Sequence, residues 1–215
     1  MAALVETKKD GDSFCAGYDL EEISTSGPEE FLRSLAPPGE GDGPMGPTRL
    51  KLTKPVIGAI EGLAVAGGME LALMCDLRVV AEDMKMGIFN RRFGVPMLDG
   101  GSARLPAIIG LSRALDLIMT GRPVDAKEAL SIGLANRVVP KGKVVEEAIK
   151  LAKMIAGFPR EALIADRQSA FYSTFNADSF YDALTYEYRK GVKLTTIKEA
   201  FEGAKGSFKD YLAKY

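Results

Sequence analysis

The chain has 215 residues, of which 47% are hydrophobic and 27% are charged, and its formal net charge is −1. These values fit one domain that is large enough to bury a substantial core. A near-neutral chain lacks the basic surface that nucleic acid and anionic membranes require, so neither is expected as a main partner. No apolar run approaches the roughly 20 residues that span a bilayer, and the first residues lack the apolar core of a signal peptide.

Residue counts also limit the chemistry. The chain contains no histidine, which excludes Ser-His-Asp and Cys-His nucleophilic schemes and any metal site built with histidine. Acid–base work must then fall to carboxylates, lysine or tyrosine. The only two cysteines, Cys15 and Cys75, stand in apolar segments. We therefore expect free, buried thiols in a reducing compartment rather than a disulfide.

The first quarter of the chain combines a short predicted strand with flexible segments. Ala2–Val5 is a candidate strand. Further on, Ala16 and Gly17 are small enough to let the backbone approach a ligand, and Asp19 can cap the residues that follow it. The segment from Ser24 to Pro55 contains a Pro- and Gly-rich run, 37–47, that cannot hold regular structure, and we therefore predict a mobile loop from about Ser24 to Thr53. Such a loop is either a lid or a tolerated surface insertion.

The stretch from Lys54 to Asp76 predicts a buried strand, a glycine turn and a helix. Val56–Ile60 is apolar throughout, as in strands covered on both faces, and 68–75 is rich in Met, Leu and Ala. Gly67 and Gly68 allow a tight turn whose N–H groups have no intrahelical partner. Glu70 follows in the first helical turn, where general acid–base chemistry would be useful. The alternative is an ordinary strand-to-helix turn with a solvated glutamate; a phosphate-binding P-loop is disfavoured because its lysine is missing.

The rest of the chain alternates strands and helices before ending in helices. Strands are predicted at 77–80, 84–89 and 134–139. Helices are predicted at 102–109 and 111–119, separated by Gly110, and from the Asp125 cap to Gly133. A further helix is predicted where apolar residues share one face, namely Val144, Ala148, Leu151 and Ile155, and more helices are predicted from there to Tyr215. This order predicts an α/β layered fold, with a core over residues 1–140 and a helical extension over 141–215.

Several blocks of the sequence resemble the enoyl-CoA hydratase/isomerase (crotonase) family. They match in order and spacing, and they are Phe14–Leu20, Lys54–Ile57, Gly62–Asp76, Leu117–Pro123 and Glu128–Val139. The resemblance implies a spiral of ββα units with a C-terminal helical region that builds trimers, often paired into hexamers. Family members usually have a longer segment before the first block, so the resemblance also predicts a fold without its N-terminal strands.

The shared chemistry of that family is the stabilisation of a thioester enolate by two backbone N–H groups. Carried onto this sequence, the donors fall on Tyr18 and Gly67. The resemblance assigns Glu70 as the acid–base group and Asp99 as a candidate second acid, with a helix cap as the alternative role for Asp99. It places Asn90 where hydratases carry a second glutamate, although an amide cannot accept a proton as a carboxylate does. The implied substrate-binding residues are Ala16, Gly17, Tyr18, Asp19, Leu20, Gly67 and Asn90.

The resemblance implies an enoyl-CoA hydratase that adds water to a 2-enoyl-CoA. Its alternatives are a Δ3-Δ2-enoyl-CoA isomerase, because one carboxylate suffices to move a proton between carbons, and a catalytically silent scaffold with the same fold. No metal or redox cofactor is expected, since coenzyme A is part of the substrate. The expected partners are an acyl-CoA thioester and identical subunits. The expected location is the cytoplasm, with the mitochondrial matrix and the peroxisome left open.

Overall fold

The computed structural model describes residues 3–5 and 13–205, and within them the strands form two sheets. The first sheet has the order β1-β2-β4-β7 and is parallel throughout. The second has the order β3-β5-β6, with β3 parallel and β6 antiparallel to β5. The strands are β1 (Ala3–Val5), β2 (Val56–Ile60), β3 (Leu63–Val65), β4 (Leu77–Ala81), β5 (Lys85–Gly87), β6 (Val124–Asp125) and β7 (Arg137–Val139).

The described helices follow the strands in the pattern of repeated strand–strand–helix units. They are α1 (Leu20–Ser26), α2 (Pro28–Ser34), α3 (Gly67–Met74), α4 (Gly101–Ile109), α5 (Leu111–Thr120), α6 (Ala126–Ser131), α7 (Val144–Ala156), α8 (Arg160–Phe175), α9 (Phe180–Gly191) and α10 (Leu194–Lys205). One unit is β2, β3 and α3, and the next is β4, β5 and α4. In each unit the first strand joins the first sheet and the second strand joins the second sheet.

The chain divides into two compact units, Ala2–Ala152 and Lys153–Tyr215. The first contains both sheets and helices α1 to α6, and α7 crosses the boundary. In its core, every residue of β2 is buried and Val79 and Val80 of β4 are fully covered. The continuous apolar run of β2 is therefore explained by burial on both faces, as the sequence predicted.

Two polar side chains, half-buried Asp76 and buried Arg78, form hydrogen bonds near the start of β2 and of β4. The Asp76 carboxylate accepts a hydrogen bond of 2.6 Å from the Val56 N–H. The guanidinium of Arg78 is buried and donates to the carbonyls of Leu134 and Cys75, each at 2.6 Å. Burial lowers the pKa of Arg78. These bonds supply partners for groups that would be costly to bury alone.

Most of the predicted elements are confirmed. Strand β2 has the predicted bounds, and Gly110, with φ of 84°, separates α4 from α5. Asp125 caps α6 by accepting from the Glu128 N–H at 2.8 Å. The predicted strands 84–89 and 134–139 are also present but shorter, because only β5 and β7 pair with neighbours.

The structure corrects two predictions in the first unit. A strand, β3, occupies part of the segment that was expected to be only a glycine turn. Helices α1 and α2 reach into the segment 24–55, which was expected to be a loop; α2 has no buried residue and so no apolar stripe. Residues 37–46 lack helix and strand, as predicted, apart from a single bridge between Gly43 and Gly46, and a short 3-10 helix, Pro47–Arg49, begins at the end of the run. The mobility of this run stays a prediction.

The second unit is helical over its described residues. The rings of Tyr172 in α8 and Tyr186 in α9 stack at 3.9 Å. The Glu199 carboxylate of α10 accepts from the N–H groups at the start of α8, including that of Glu161 at 2.7 Å. The predicted helices thus continue to Lys205, and the part of that prediction beyond Lys205 lies outside the described residues. Among the described helices, none is long and apolar enough to cross a membrane.

Candidate functional site

A cavity of about 590 Å³ lies in the first unit. Every residue that the sequence predicted for a site contributes to its wall. These residues are Ala16, Gly17, Tyr18, Asp19, Leu20, Gly67, Glu70, Asn90 and Asp99. The structure therefore brings the predicted residues together, while the role of each stays a prediction.

The cavity depends on a close approach between two backbone segments. Cys15 pairs with β3: its N–H donates to the Leu63 carbonyl at 2.9 Å, and its carbonyl accepts from Val65 at 3.0 Å. A Cβ on Gly68 would lie only 2.6 Å from the Cys15 carbonyl carbon. Because real Cβ atoms do not come that close, only glycine fits at the start of α3.

The backbone around the turn before α3 lines the cavity and contains N–H groups without an acceptor among the described residues. Ala66 has φ of 51°, a left-handed conformation that costs free energy for a residue with a side chain. A Cβ on Gly17, whose φ is 100°, would lie 3.0 Å from the Gly67 nitrogen. In the described part of the chain, neither the Tyr18 nor the Gly67 N–H donates to an acceptor. Two unpaired donors beside a helix N-terminus suit an oxygen that gains negative charge.

The side chains of Tyr18 and Asp19 are engaged with α1 and α2. The Tyr18 hydroxyl donates to the Glu22 carboxylate at 3.2 Å, and its ring meets Phe31 edge-on at 5.9 Å. Burial, followed by the bond to Glu22, raises the pKa of Tyr18. The Asp19 carboxylate accepts from the Glu21 N–H at 2.8 Å and so caps α1, as the sequence predicted.

Glu70 is the buried acid of the cavity. Its side chain is 2% exposed, and its Oε1 accepts from the N–H groups of Asp99 at 3.0 Å and Gly101 at 2.8 Å. Burial raises the pKa of Glu70, and the two hydrogen bonds offset part of that rise. A carboxyl whose pKa is raised toward neutrality is better suited to both giving and taking a proton. The alternative of a solvated helix-dipole residue is therefore wrong.

Asn90 presents an unpaired oxygen. The side chain is buried, and its Nδ2 donates to the Val95 carbonyl at 2.9 Å. Its Oδ1 is inaccessible to solvent and has no hydrogen-bond donor among the described residues. A buried amide oxygen without a donor lowers the stability of the folded chain.

Asp99 is buried, and its side chain accepts hydrogen bonds from the segment that contains Met45 and Thr48. Its Oδ1 accepts from the Met45 N–H at 3.0 Å and from the Thr48 hydroxyl. The predicted alternative, a cap for α4, is wrong, because the N-cap residue is Gly100 and no side chain caps that helix. The sequence did not identify Met45 and Thr48 as residues near the site. Their position in the predicted loop was the only feature that could have indicated such a role.

The family model for enoyl-CoA hydratase/isomerase matches residues 2–207. The chain belongs to this family. The predicted fold class, a crotonase-like α/β spiral of ββα units with C-terminal helices, is confirmed by a solved member, the enoyl-CoA hydratase EchA1 from Mycobacterium marinum. That structure gives a TM-score of 0.80 at 32% identity, covering 94% of this chain and 75% of the other.

Curated relatives match over shorter regions. An enoyl-CoA isomerase/hydratase of Zymoseptoria tritici is 41% identical over 169 residues, which cover 71% of this chain and 53% of that protein. The fatty acid oxidation complex subunit alpha of Shewanella frigidimarina is 38% identical over 160 residues, covering 71% of this chain and 21% of that protein. The chain thus spans about half of the first relative and about a fifth of the second.

The described residues contain no group of three or more His, Cys, Asp or Glu side chains that could hold a metal ion. Both thiols are free: Cys75 is buried and Cys15 is half-buried. Burial raises the pKa of the Cys75 thiol to about 12, so this thiol is unreactive at neutral pH. The titratable residues that line the cavity are Tyr18, Asp19, Glu70 and Asp99.

Glu70 should make stability depend on pH. Because burial raises its pKa in the folded state, its contribution to stability is fully present below the ordinary glutamate value of about 4.3 and is lost as pH rises through the folded-state pKa. Glu70→Gln removes that loss, so we expect the variant to be more stable than the wild type at pH 8, with the difference shrinking toward pH 4. Urea unfolding at a series of pH values measures this.

Glu128→Gln is the matched control, since its pKa is lowered by the hydrogen bond from Arg122. That variant should lose stability at pH 8 rather than gain it. If the free-energy difference between Glu70→Gln and the wild type stayed constant from pH 4 to pH 8, the raised pKa of Glu70 would be wrong.

Proposed function

We propose that this chain is an enoyl-CoA hydratase, which adds water across the double bond of a 2-enoyl-CoA thioester. The single observation that carries the proposal is the meeting, in one cavity, of two unpaired backbone N–H groups and a buried carboxyl with a raised pKa. The donors belong to Tyr18 and Gly67, and the carboxyl is that of Glu70. This set matches the needs of an enolate intermediate.

In the proposed reaction the thioester oxygen accepts hydrogen bonds from Tyr18 and Gly67. Ionised Glu70 takes a proton from water as the water oxygen bonds to C3, and the electron pair of the double bond moves toward the thioester oxygen as an enolate. Glu70 then returns the proton to C2, so one molecule of water is added in total. The N–H donors act where charge develops, and they are fixed by the backbone before the substrate arrives.

A second candidate is a Δ3-Δ2-enoyl-CoA isomerase, and Asn90 is the observation that favours it. The Asn90 amide lines the cavity, but it cannot take a proton as a second glutamate would. Asp99 remains the candidate second acid, with Oδ1 already bonded to Met45 and Thr48. If Asp99 does not act, Glu70 is the sole base, which is enough to move a proton between two carbons.

The proposal includes a homotrimer, or a hexamer made of two trimers, assembled through the helical region. The second unit exposes large apolar side chains that water would not stabilise, such as Phe180 at 80% and Phe201 at 66%. It also includes a reducing location such as the cytoplasm, consistent with two free thiols. The proposed partners are an acyl-CoA thioester and further copies of the chain, with no nucleic acid, membrane, metal or redox cofactor.

The Glu70→Gln variant tests the proposed acid–base role. Glutamine keeps the shape and can still accept the bonds from Asp99 and Gly101, but it cannot exchange a proton. Turnover of crotonyl-CoA should fall by about two orders of magnitude or more, measured as loss of the conjugated thioester absorbance. Glu146→Gln, at an exposed position, is the control and should keep wild-type turnover. A fully active Glu70→Gln protein would remove Glu70 from the mechanism.

Asn90→Glu separates the hydratase from the isomerase. If the amide limits hydration, a second carboxylate should raise the rate of water addition to crotonyl-CoA relative to double-bond migration in a 3-enoyl-CoA. The same absorbance follows both reactions, because one removes the conjugated thioester and the other creates it. An unchanged ratio would mean that Asp99 or another group already supplies the second acid.

The assembly can be checked directly by light scattering. We expect a mass of three or six times 23.1 kDa at micromolar concentration. Replacing Phe180 with Glu should reduce the mass if this exposed side chain lies in the interface. Lys153→Gln, at an exposed position, makes the net charge more negative by the same one unit and serves as the control. A monomeric wild type would contradict the proposed trimer.

A further inference from the structure

The Met45 side chain lies directly against Gly67. A Cβ built on Gly67 would stand 2.6 Å from Met45 Sδ and 2.7 Å from Met45 Cγ. On another side, Gly17 Cα would lie 3.5 Å from the same Cβ. Met45 therefore occupies space next to one of the two N–H donors, and its half-buried side chain forms part of the cavity wall.

Met45 is held in this position by a buried hydrogen-bond cluster. Asp99 Oδ1 accepts from the Met45 N–H and from the hydroxyl of Thr48, which is fully buried. The guanidinium of Arg104 donates to the carbonyl of Asp99 at 2.7 Å and to that of Thr48 at 2.6 Å. The acceptor of the Met45 N–H, Asp99, thus belongs to the segment that also donates to Glu70.

The chain on either side of Met45 is fixed as well. Gly43 and Gly46 exchange backbone hydrogen bonds of 3.0 and 2.7 Å, which closes a tight turn around Met45. Arg49 donates to the Leu98 carbonyl at 2.9 Å. The side chain of Met45 is flexible, but its backbone has little freedom to withdraw from Gly67.

We propose that Met45 is a specificity-determining residue that limits the substituent on C2 of the acyl group, and that Asp99 and Thr48 position it. The inference rests on the proposed function, in which the thioester oxygen lies at about 2.9 Å from the Gly67 nitrogen. C2 is two bonds from that oxygen. The carbonyl carbon is bonded to C2 and to the sulfur, and the sulfur carries the same coenzyme in every substrate. The substituents on C2 are therefore the groups closest to the carbonyl that differ between substrates.

The enzyme should therefore prefer thioesters without a branch at C2. A methyl group on C2 would compete with Met45 Sδ and Cγ for space beside Gly67. Packing around the Gly67 turn leaves little room to adjust, because Gly17 Cα also lies close to Gly67, and Gly68 lies against the Cys15 carbonyl. An extra methyl group in a tight apolar pocket typically changes discrimination by about 10-fold or more.

The test is the binding of two saturated, non-reacting thioesters, butyryl-CoA and 2-methylbutyryl-CoA, measured by calorimetry. The wild type should bind butyryl-CoA at least 10-fold more tightly. In Met45→Ala this preference should fall by about 10-fold, because the space beside C2 is vacated, while Met45→Leu, which preserves side-chain volume, should keep it. Retained binding of butyryl-CoA by Met45→Ala verifies that the variant is folded.

A second pair of variants tests the positioning role. Thr48→Val removes the hydroxyl that Asp99 accepts from, and should reduce the preference for butyryl-CoA; Thr48→Ser restores the hydroxyl and should restore the preference. A purely structural role would lower the melting temperature in Thr48→Val without changing the ratio of the two affinities, and that result would overturn the positioning role.

The outcomes separate this inference from the proposed function. If the wild type binds both thioesters equally well, or if Met45→Ala keeps the full preference, the role of Met45 is wrong and the proposed function stands. If the wild type binds neither thioester, the proposed function is wrong and the inference falls with it.

Discussion

The contact between Cys15 and the turn at Gly67-Gly68 is the constraint on which the site depends. Pairing of Cys15 with β3 brings the two backbones together, and the contact closes only because Gly68 has no Cβ. This contact fixes where α3 begins, and therefore where Glu70 enters the cavity. It also sets the two N–H donors side by side. A methyl group at Gly68 would disturb strand pairing, the donors and the acid at the same time.

Helix α3 then organises segments that are far apart in the chain. Glu70 accepts hydrogen bonds from Asp99 and Gly101 and so fixes the start of α4. From there the Asp99 side chain reaches back to Met45, 54 residues earlier. Glu70 and Met45, which lies against Gly67, therefore belong to one connected hydrogen-bond network. We infer that a change at Asp99 would alter the pKa of Glu70 and the position of Met45 together.

The sequence predicted those elements whose signals are local. A strand covered on both faces is continuously apolar, and this pattern is visible in the sequence. Gly110 ends one helix and Asp125 caps another through interactions with residues that are near them in sequence. Strand β3 was missed because its three residues stand between glycines and carry no period long enough to detect. Helix α2 was missed because it has no buried residue and hence no apolar stripe. The role of Thr48 could not be predicted, because its partner Asp99 is distant in sequence.

Unfavourable local features concentrate in the cavity. Ala66 has a left-handed backbone, Glu70 is a buried carboxyl whose ionised form is disfavoured, and Asn90 Oδ1 is buried without a donor. Each lowers the stability of the folded chain. Beside them, the Tyr18 and Gly67 N–H groups have no acceptor among the described residues. Because all three meet in one cavity, they are better explained by ligand binding and catalysis than by folding alone.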